Sequence, residues 1–251
     1  MKIIAITNQK GGVAKTTTAI NLSAGLSKNG MKIMLADLDP QHNLTVALGI
    51  EPYKLEYTVY DVLKNLTTYK KAIIKRDSFD ILPSSLKLSA ADIEFSSFPG
   101  REFLLRDAMK AVNNYDYILL DCPPSLGILT LNALSFATDV LIPVQTEFLA
   151  LQGMTMLMDT INVVKSRLNS KLNILGVLAT RYDARKNLSK EVTDYLKESF
   201  KDKLLKTYIH DNIALAESSS FGKTIFEYKP DSKGAEDYMS LAIEIINLKN
   251  E

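Results

Sequence analysis

The chain has 251 residues, of which 46% are hydrophobic and 24% charged, and its formal net charge is +1. That length allows a substantial core, and the near-neutral balance excludes a uniformly basic chain. The single cysteine, Cys122, excludes an internal disulfide and an all-cysteine metal cluster within one chain. A lone cysteine, no signal-peptide pattern and no apolar run of bilayer length together predict a cytoplasmic protein.

Short apolar runs alternate with longer stretches of helical periodicity along the whole sequence. Taken in chain order, the apolar runs predict strands at 2–7, 32–37, 79–83, 117–121, 139–144 and 173–179, with a weaker strand near 206–209. The periodic stretches predict helices near 15–29, 58–66, 101–113, 128–136, 152–168, 188–200 and 233–247. Gly30 follows the first helix at a position where glycine commonly ends one.

Several predicted strands are apolar on both faces, which is typical of strands buried in a parallel sheet. Alternation of strands and helices at this spacing predicts an α/β fold with one doubly wound, mostly parallel sheet and helices on both faces. The sequence contains no repeat, low-complexity segment or linker. We therefore expect a single domain over residues 1–251, without an N-terminal helix-turn-helix extension, because the first strand begins at Lys2.

The turn after the first strand has the layout of a phosphate-binding loop. Backbone N–H groups of such a turn and the positive end of the following helix dipole attract anions. Lys15 can reach the β- and γ-phosphates of a nucleotide, and the Thr16 hydroxyl can ligate Mg²⁺. The common pattern G-x-x-x-x-G-K-[ST] is not met, because Gln9 and Ala14 stand where its glycines belong. Alanine fits at position 14 only if that residue does not need a positive φ.

Carboxylates follow two of the predicted strands. Asp121 ends an apolar strand, where P-loop enzymes carry the acid on the Mg²⁺ side. Ligands of open α/β sheets gather at the carboxyl ends of the strands, where Asp121 would lie beside the phosphate loop. Asp37 and Asp39 share one face of a strand end before Pro40 turns the chain. A carboxylate there can orient an attacking water; the alternative is that these acids only solvate a turn.

Charge is concentrated in residues 165–206, which contain eleven Lys or Arg and five Asp or Glu. This segment therefore carries a surplus of six positive charges, although the whole chain is almost neutral. A basic surface beside a nucleotide-binding fold can contact a polyanion. The alternative interpretation is a solvated helix whose lysines flank acidic residues.

The combination of three motifs resembles the deviant Walker-motif ATPases and, among them, the ParA/Soj-type DNA-partition ATPases. These motifs are Lys10-Gly11-Gly12-x-x-Lys15-Thr16, Asp37-x-Asp39-Pro40-Gln41 and Asp121-Cys122-Pro123-Pro124. Further matches continue almost to the C-terminus, at 43–45, 143–147, 185–188, 216–217, 221–223 and 233–238. The resemblance therefore covers essentially the whole chain.

The resemblance implies a role for each matching residue. Lys15 corresponds to the P-loop lysine, and Lys10 to the signature lysine, which in this family crosses a dimer interface to the partner's phosphates. Asp39 corresponds to the carboxylate that orients water, and Asp121 to the acid that reaches Mg²⁺ through water. The remaining nucleotide contacts implied are the loop residues Gly11, Gly12, Val13 and Ala14, the hydroxyl residues Thr16 and Thr17, and an adenine-contacting segment of His210, Asp211 and Asn212.

A surface for DNA is also implied by the resemblance. Arg185 falls where the family has a DNA-contacting arginine, whereas Asp211 and Ala214 stand where relatives often carry arginines. The other basic candidates for DNA contact are Lys186, Lys201, Lys203, Lys206 and Lys223.

The function implied is an ATP-dependent switch with ATP and Mg²⁺ as cofactors. ATP closes a homodimer that binds DNA non-specifically on the nucleoid, and slow hydrolysis, stimulated by a centromere-binding ParB-like partner, releases it. One alternative is a MinD-like membrane-associated positioning ATPase, which needs a basic amphipathic C-terminal anchor. The mixed charge of residues 244–251 argues against stable membrane association. The other alternative is a small-molecule ATP-dependent enzyme on the same fold.

Overall fold

In the computed structural model, residues 1–147 and 154–248 are described, and within these ranges they form a six-stranded parallel sheet. The order of the strands across the sheet is β3-β2-β4-β1-β5-β6. The strands are β1 (Lys2–Ile6), β2 (Ile33–Asp37), β3 (Asp80–Leu82), β4 (Tyr117–Asp121), β5 (Asp139–Gln145) and β6 (Asn173–Thr180). All six main predicted strands are confirmed, and the sheet is parallel throughout.

The register aligns the carboxyl ends of three neighbouring strands. Ile6 at the end of β1 pairs with Asp121 at the end of β4, and Asp37 at the end of β2 pairs with the same Asp121. Parallel strands all deliver their following loops to one end of the sheet, which we call the carboxyl end. The 8–14 turn and the segments after Asp37 and Asp121 therefore emerge side by side.

Helices cover both faces of this sheet. They are α1 (Lys15–Lys28), α2 (Asn43–Ala47), α3 (Val59–Leu63), α4 (Tyr69–Ala72), α5 (Ala91–Glu94), α6 (Leu104–Met109), α7 (Ile128–Phe136), α8 (Met154–Arg167), α9 (Asn187–Phe200), α10 (Ile213–Ser220), α11 (Ile225–Tyr228) and α12 (Lys233–Asn247). Short 3₁₀ turns lie between several of them.

Strand alternation divides the core into two layers. Ile3 and Ala5 of β1 face a cluster with α3, α6, α7, α8 and α9. Ile4 and Ile6 face the opposite cluster with α1, α10, α11 and α12. This alternation is the period of two that a strand imposes on its side chains, and it confirms a doubly wound sheet with helices on both faces.

The predicted helices near 15–29, 128–136, 188–200 and 233–247 are confirmed to within two residues. The first ends as expected, because Gly30 has a φ of 81° just after its C-cap. The helix near 152–168 is present as α8, and its first two predicted residues lie outside the described ranges. The helix near 58–66 is shorter, and only Val59–Leu63 is α-helical.

Two predictions are wrong in part. The helix near 101–113 consists of a 3₁₀ turn at Arg101–Phe103 and a short helix at Leu104–Met109, because the Asn132 side chain accepts from Leu105 N at 2.9 Å and donates to the Arg101 carbonyl at 2.7 Å. The weaker strand near 206–209 is not a strand. There the Glu244 carboxylate accepts from the backbone N–H groups of residues 206 and 207, which interrupts pairing with β6.

The helix α10 was not predicted, although its start is encoded locally. The Asn212 side chain accepts from Ala214 N at 2.9 Å, which is a regular N-cap. Among the described residues, the helices are all too short or too polar to cross a lipid bilayer.

Candidate functional site

A cavity of about 750 Å³ opens at the carboxyl end of the sheet. The turn before α1 and the first residues of α1 form one end of it, and residues 209–216 form the other. The loop end carries the N-terminus of α1, which favours an anionic group, and the cavity leaves room for the rest of a ligand toward 209–216. The predicted residues that line the cavity are Gly11, Gly12, Ala14, Lys15, Thr16, Thr17, Asp39, His210, Asp211 and Asn212.

Two predicted loop residues do not line this cavity. The Val13 side chain is 1% exposed and belongs to the core, while its carbonyl accepts from the Thr180 hydroxyl at 3.1 Å. Lys10 lies at the start of the turn, where its N–H donates to the Asn8 side chain at 3.0 Å. Val13 therefore contributes backbone to the loop, and Lys10 is not among the residues that line the cavity.

The two lysines of the loop differ in their surroundings. Lys15 is 8% exposed, and its ammonium donates to the Lys10 carbonyl at 3.1 Å. Burial lowers the pKa of Lys15, while the nearby Asp121 carboxylate acts in the opposite direction. The half-buried Lys10 has no hydrogen bond or ion pair at its ammonium within residues 1–147 and 154–248. Lys15 is thus held inside its own site, whereas the Lys10 ammonium has no bonding partner among the described residues.

Ala14 adopts the left-handed conformation, with φ of 66° and ψ of 30°, at the N-cap of α1. The condition set from the sequence, that this position should not need a positive φ, is therefore not met. A non-glycine residue in this region carries strain of about 1 kcal/mol or more, because its Cβ crowds the backbone. The turn therefore holds Ala14 in a backbone conformation that its side chain disfavours.

We expect Ala14→Gly to raise the free energy of unfolding by about 1 kcal/mol, because glycine removes this strain. The measurement is urea unfolding of the nucleotide-free protein. The matched control is Ala24→Gly inside α1, where φ is helical and the same change should lower stability by about 1 kcal/mol. Equal losses of stability in both variants would show that position 14 is not strained.

The Asp121 carboxylate lies below the loop and offers a place for a cation. Thr16 Oγ1 donates to Asp121 Oδ2 at 2.7 Å, whereas Asp121 Oδ1 is buried without a partner among the described residues. Burial raises the pKa of Asp121 well above its ordinary value, and the adjacent Asp37 carboxylate adds to the rise. An orphaned carboxylate oxygen beside a threonine hydroxyl is a set of hard oxygen ligands that fits Mg²⁺.

No cluster of three or more His, Cys, Asp or Glu side chains suited to a metal occurs in the described ranges. A cation at Thr16 and Asp121 would therefore complete its coordination shell with water and phosphate oxygens. Mg²⁺ favours this arrangement, because it keeps several waters and binds to few protein groups beside a nucleotide.

The two acids after β2 have different positions. Asp39 lines the cavity, and its Oδ1 accepts from Gln41 N at 2.9 Å. Asp37 lies beneath it and is fully buried, and burial raises the pKa of Asp37 to about 6. Of the two, only Asp39 lines the cavity, as a water-orienting role requires.

The far end of the cavity contains the segment predicted to contact a base. The His210 N–H donates to Asp237 Oδ2 at 2.8 Å, and His210 Nδ1 lies 2.9 Å from the same oxygen. Arg181 Nε lies 3.5 Å from Asp211 Oδ1, so a charged pair borders the opening. The structure brings this segment to the cavity, but its side chains are already engaged with the protein.

The candidate DNA contacts are exposed and do not line the cavity; they lie on the loop after β6, after α9 and between α10 and α11. The Arg185 guanidinium donates two hydrogen bonds to the Asp183 carboxylate, from Nε to Oδ1 and from Nη2 to Oδ2, both at 2.9 Å. This pairing lowers the pKa of Asp183 to about 2. The other five are Lys186, Lys201, Lys203, Lys206 and Lys223. All six side chains are exposed.

Sequence reasoning missed several lining residues. Arg181 has a positive φ of 51° at the end of β6, and Tyr238 comes from α12 on the far side of the chain. Tyr238 lies in the matching segment 233–238, but its place at the cavity follows only from the fold, as does that of Arg181. Asn43, Leu215 and Ala216 also line it.

Comparison with known proteins agrees with this geometry. The model of a family described as an AAA domain matches residues 1–174. Soj, the sporulation initiation inhibitor protein of Bacillus subtilis, is 47% identical over 249 residues, which cover 97% of this chain and 98% of Soj. The chromosome partitioning protein ParA of Caulobacter vibrioides is 41% identical over 256 residues, which cover 100% of this chain and 96% of that protein.

A solved structure gives the same result for the fold. Cobyrinic acid a,c-diamide synthase from Mycobacterium smegmatis, with bound ATP analogue and magnesium, superposes with a TM-score of 0.88. It is 34% identical, and the alignment covers 100% of this chain and 96% of that one.

Together, the parallel sheet, the loop before α1 and the paired Thr16 and Asp121 define a P-loop ATPase with a deviant Walker A motif. The relatives that are 41–47% identical span nearly the whole chain. The chain belongs to the family of ParA/Soj-type partition ATPases.

Proposed function

We propose that this protein is a partition switch that closes into a homodimer on binding ATP and Mg²⁺ and reopens after hydrolysis. The observation that carries the proposal is the contrast between the two loop lysines. Lys15 is buried and bonded to the loop, whereas the Lys10 ammonium has no partner in the described part of its own chain. The Lys10 ammonium is therefore available to contact the phosphates bound by a second copy of the chain.

The residues of the site divide the chemistry among themselves. Lys15 and the N–H groups at the start of α1 bind the phosphates. Thr16 and Asp121 would hold the Mg²⁺, which would supply neutralisation of the phosphate charge. Asp39 faces the cavity with its carboxylate fixed by the Gln41 N–H, so it can orient the attacking water. Lys10 of the other copy supplies positive charge to the transition state, as an arginine finger does.

The same proposal assigns the exposed basic residues to non-specific DNA. Binding through phosphates needs only positive charge on an accessible surface, and the surplus of Lys and Arg in residues 165–206 supplies it. Two relatives carry chromosome partitioning and Soj names, which supports a ParB-like partner that stimulates slow hydrolysis and releases the protein from the nucleoid. We also propose that residues 1–251 act as one ATPase domain.

The test is size-exclusion chromatography with light scattering, with and without ATP and Mg²⁺, followed by binding to random duplex DNA at two salt concentrations. We expect the mass to double from the monomer value of 27.9 kDa only with ATP, and DNA affinity to need ATP and to fall steeply with salt. A monomer under every condition would refute the switch. DNA affinity that ignores ATP and salt would refute the DNA surface.

Two other functions on this fold give different results. A MinD-like protein would sediment with anionic vesicles when ATP is added, and we expect no sedimentation. A small-molecule enzyme would show ATP turnover that rises with one metabolite, rather than with DNA and a partner protein.

A further inference from the structure

We infer that Ser84 and Thr45 are positioning residues for Asp39, and that they tie the water-orienting loop to the end of the edge strand β3. This inference rests on the function proposed for Asp39. Neither residue lines the cavity, and Ser84 is joined to it through the Asp39 carbonyl.

Four residues form a closed ring of hydrogen bonds around the start of this loop. Asp37 Oδ1 accepts from Asp39 N at 3.1 Å, and Asp37 Oδ2 accepts from the Thr45 hydroxyl at 2.6 Å. The Thr45 oxygen in turn accepts from Ser84 N at 3.0 Å. The Ser84 hydroxyl closes the ring by donating to the Asp39 carbonyl at 2.9 Å.

The ring lies in a place that water does not reach. Asp37, Thr45 and Ser84 are 0% exposed, and Asp39 is 7% exposed. Inside a protein, a hydroxyl that loses its partner cannot be compensated by solvent, so each bond holds its group firmly. Asp39 is therefore held on both sides of its Cα, at its N–H by Asp37 and at its carbonyl by Ser84.

The carboxylate of Asp39 is oriented by the same loop. The backbone carbonyl of Asp39 accepts from His42 N at 2.8 Å, and the side-chain oxygen Oδ1 of Asp39 accepts from Gln41 N at 2.9 Å. A shift of the Asp39 carbonyl thus moves the turn that aims the carboxylate. Positioning errors of about 1 Å at a reacting group can lower a rate about 100-fold, even when the substrate still binds.

The ring also reaches a surface outside the cavity. Ser84 follows β3, which lies at the edge of the sheet and pairs with β2 on one side. On its other side, β3 makes a single antiparallel bridge, between Ile81 and Ile74. The chain after Ser84 exposes Leu86 at 65% and Ile93 at 81%. Movement of this segment would be transmitted to Asp39 through one serine.

The test uses two matched pairs of variants. Ser84→Ala removes the bond to Asp39, and Ser85→Ala is its control, because the neighbouring buried Ser85 lies 3.4 Å from the Thr58 hydroxyl instead. Thr45→Val removes the hydroxyl from the ring while keeping the shape of the side chain, and Thr45→Ser, its control, keeps the hydroxyl. Thermal melting confirms that each variant is folded.

We expect Ser84→Ala and Thr45→Val to lower the single-turnover rate of ATP hydrolysis by about tenfold or more, with ATP affinity unchanged within about twofold. In an Asp39→Ala background, Ser84→Ala should cause no further loss, because the serine acts only through Asp39. A loss no larger than that of Ser85→Ala, or an undiminished loss in the Asp39→Ala background, would overturn the inference.

A second measurement needs no activity. In the nucleotide-free protein, hydrogen exchange at the amides of residues 39–45 should accelerate in Ser84→Ala and Thr45→Val, and stay unchanged in Ser85→Ala. Unchanged exchange in all of them would overturn the inference by itself. Absence of ATP hydrolysis in the unmodified protein would instead count against the proposed function, since the exchange result stands independently.

Discussion

Replacing Lys10 with alanine is expected to lower DNA- and partner-stimulated ATP hydrolysis by about 10³-fold while each chain still binds ATP. In the proposed switch, the Lys10 charge acts on the phosphates of the other copy, whereas Lys15, Thr16 and Asp121 of each chain bind that chain's own nucleotide and cation. The substitution leaves the backbone carbonyl of residue 10, which accepts a hydrogen bond from the Lys15 ammonium, so the loop should keep its conformation. The measurements are steady-state hydrolysis, binding of a fluorescent ATP analogue, and mass by light scattering.

The control for this variant is Lys28→Ala. Lys28 is an exposed lysine at the opposite end of α1, and its removal changes the net charge equally. Mixing also distinguishes the mechanism: a Lys10→Ala chain combined with an Asp39→Ala chain should recover part of the activity, because one composite site is then intact. Full activity of Lys10→Ala alone would show that the lysine does not act across an interface.

Replacing Asp39 with alanine is expected to lower hydrolysis by about 100-fold or more, because it removes the carboxylate that lines the cavity at the loop end. The other acid among the described lining residues, Asp211, lies at the far end beside Arg181. Binding should persist, since the phosphate loop and the cation ligands are untouched. The ATP-bound dimer should therefore outlive that of the unmodified protein. A chase with excess ADP, followed by light scattering, measures that lifetime.

Asp107→Ala is a suitable control, because Asp107 has 68% of its side chain exposed and lies on α6, away from the cavity. A dimer that dissociates at the ordinary rate in Asp39→Ala would contradict the role given to this carboxylate. Loss of ATP binding would instead show that Asp39 serves the bound state and not the reaction.

Much of the fold was predictable because its strands are short apolar runs bounded by turns. The carboxyl end of the sheet could be located from Ile6, Asp37 and Asp121, since parallel strands leave their loops on one side. The strand near 206–209 failed for a tertiary reason: Glu244, almost forty residues later, occupies the backbone donors that a strand would have used. Periodicity contains no information about such distant competition.

The site was predictable where chemistry depends on residues close together in the chain. The loop lysines, Thr16 and Asp39 follow from local motifs, and Asp121 from its place at a strand end. Ser84 did not follow from any motif, because its role arises only when β3 lies beside β2. The conformation of Ala14 was open as well, since a sequence states that a residue is alanine and not which φ its neighbours impose.

If the Lys10 ammonium, which has no partner in the described part of its own chain, completes the site of a second copy, the amount of protein that a cell holds becomes important. When each complete site takes one group from each of two chains, the total rate of ATP hydrolysis depends on the number of dimers and not on the number of chains. Where dimers are scarce, halving the amount of ATP-bound chain cuts the population of complete sites about fourfold by mass action. Modest changes in expression would then act as a threshold, below which the chain binds its nucleotide and does little else.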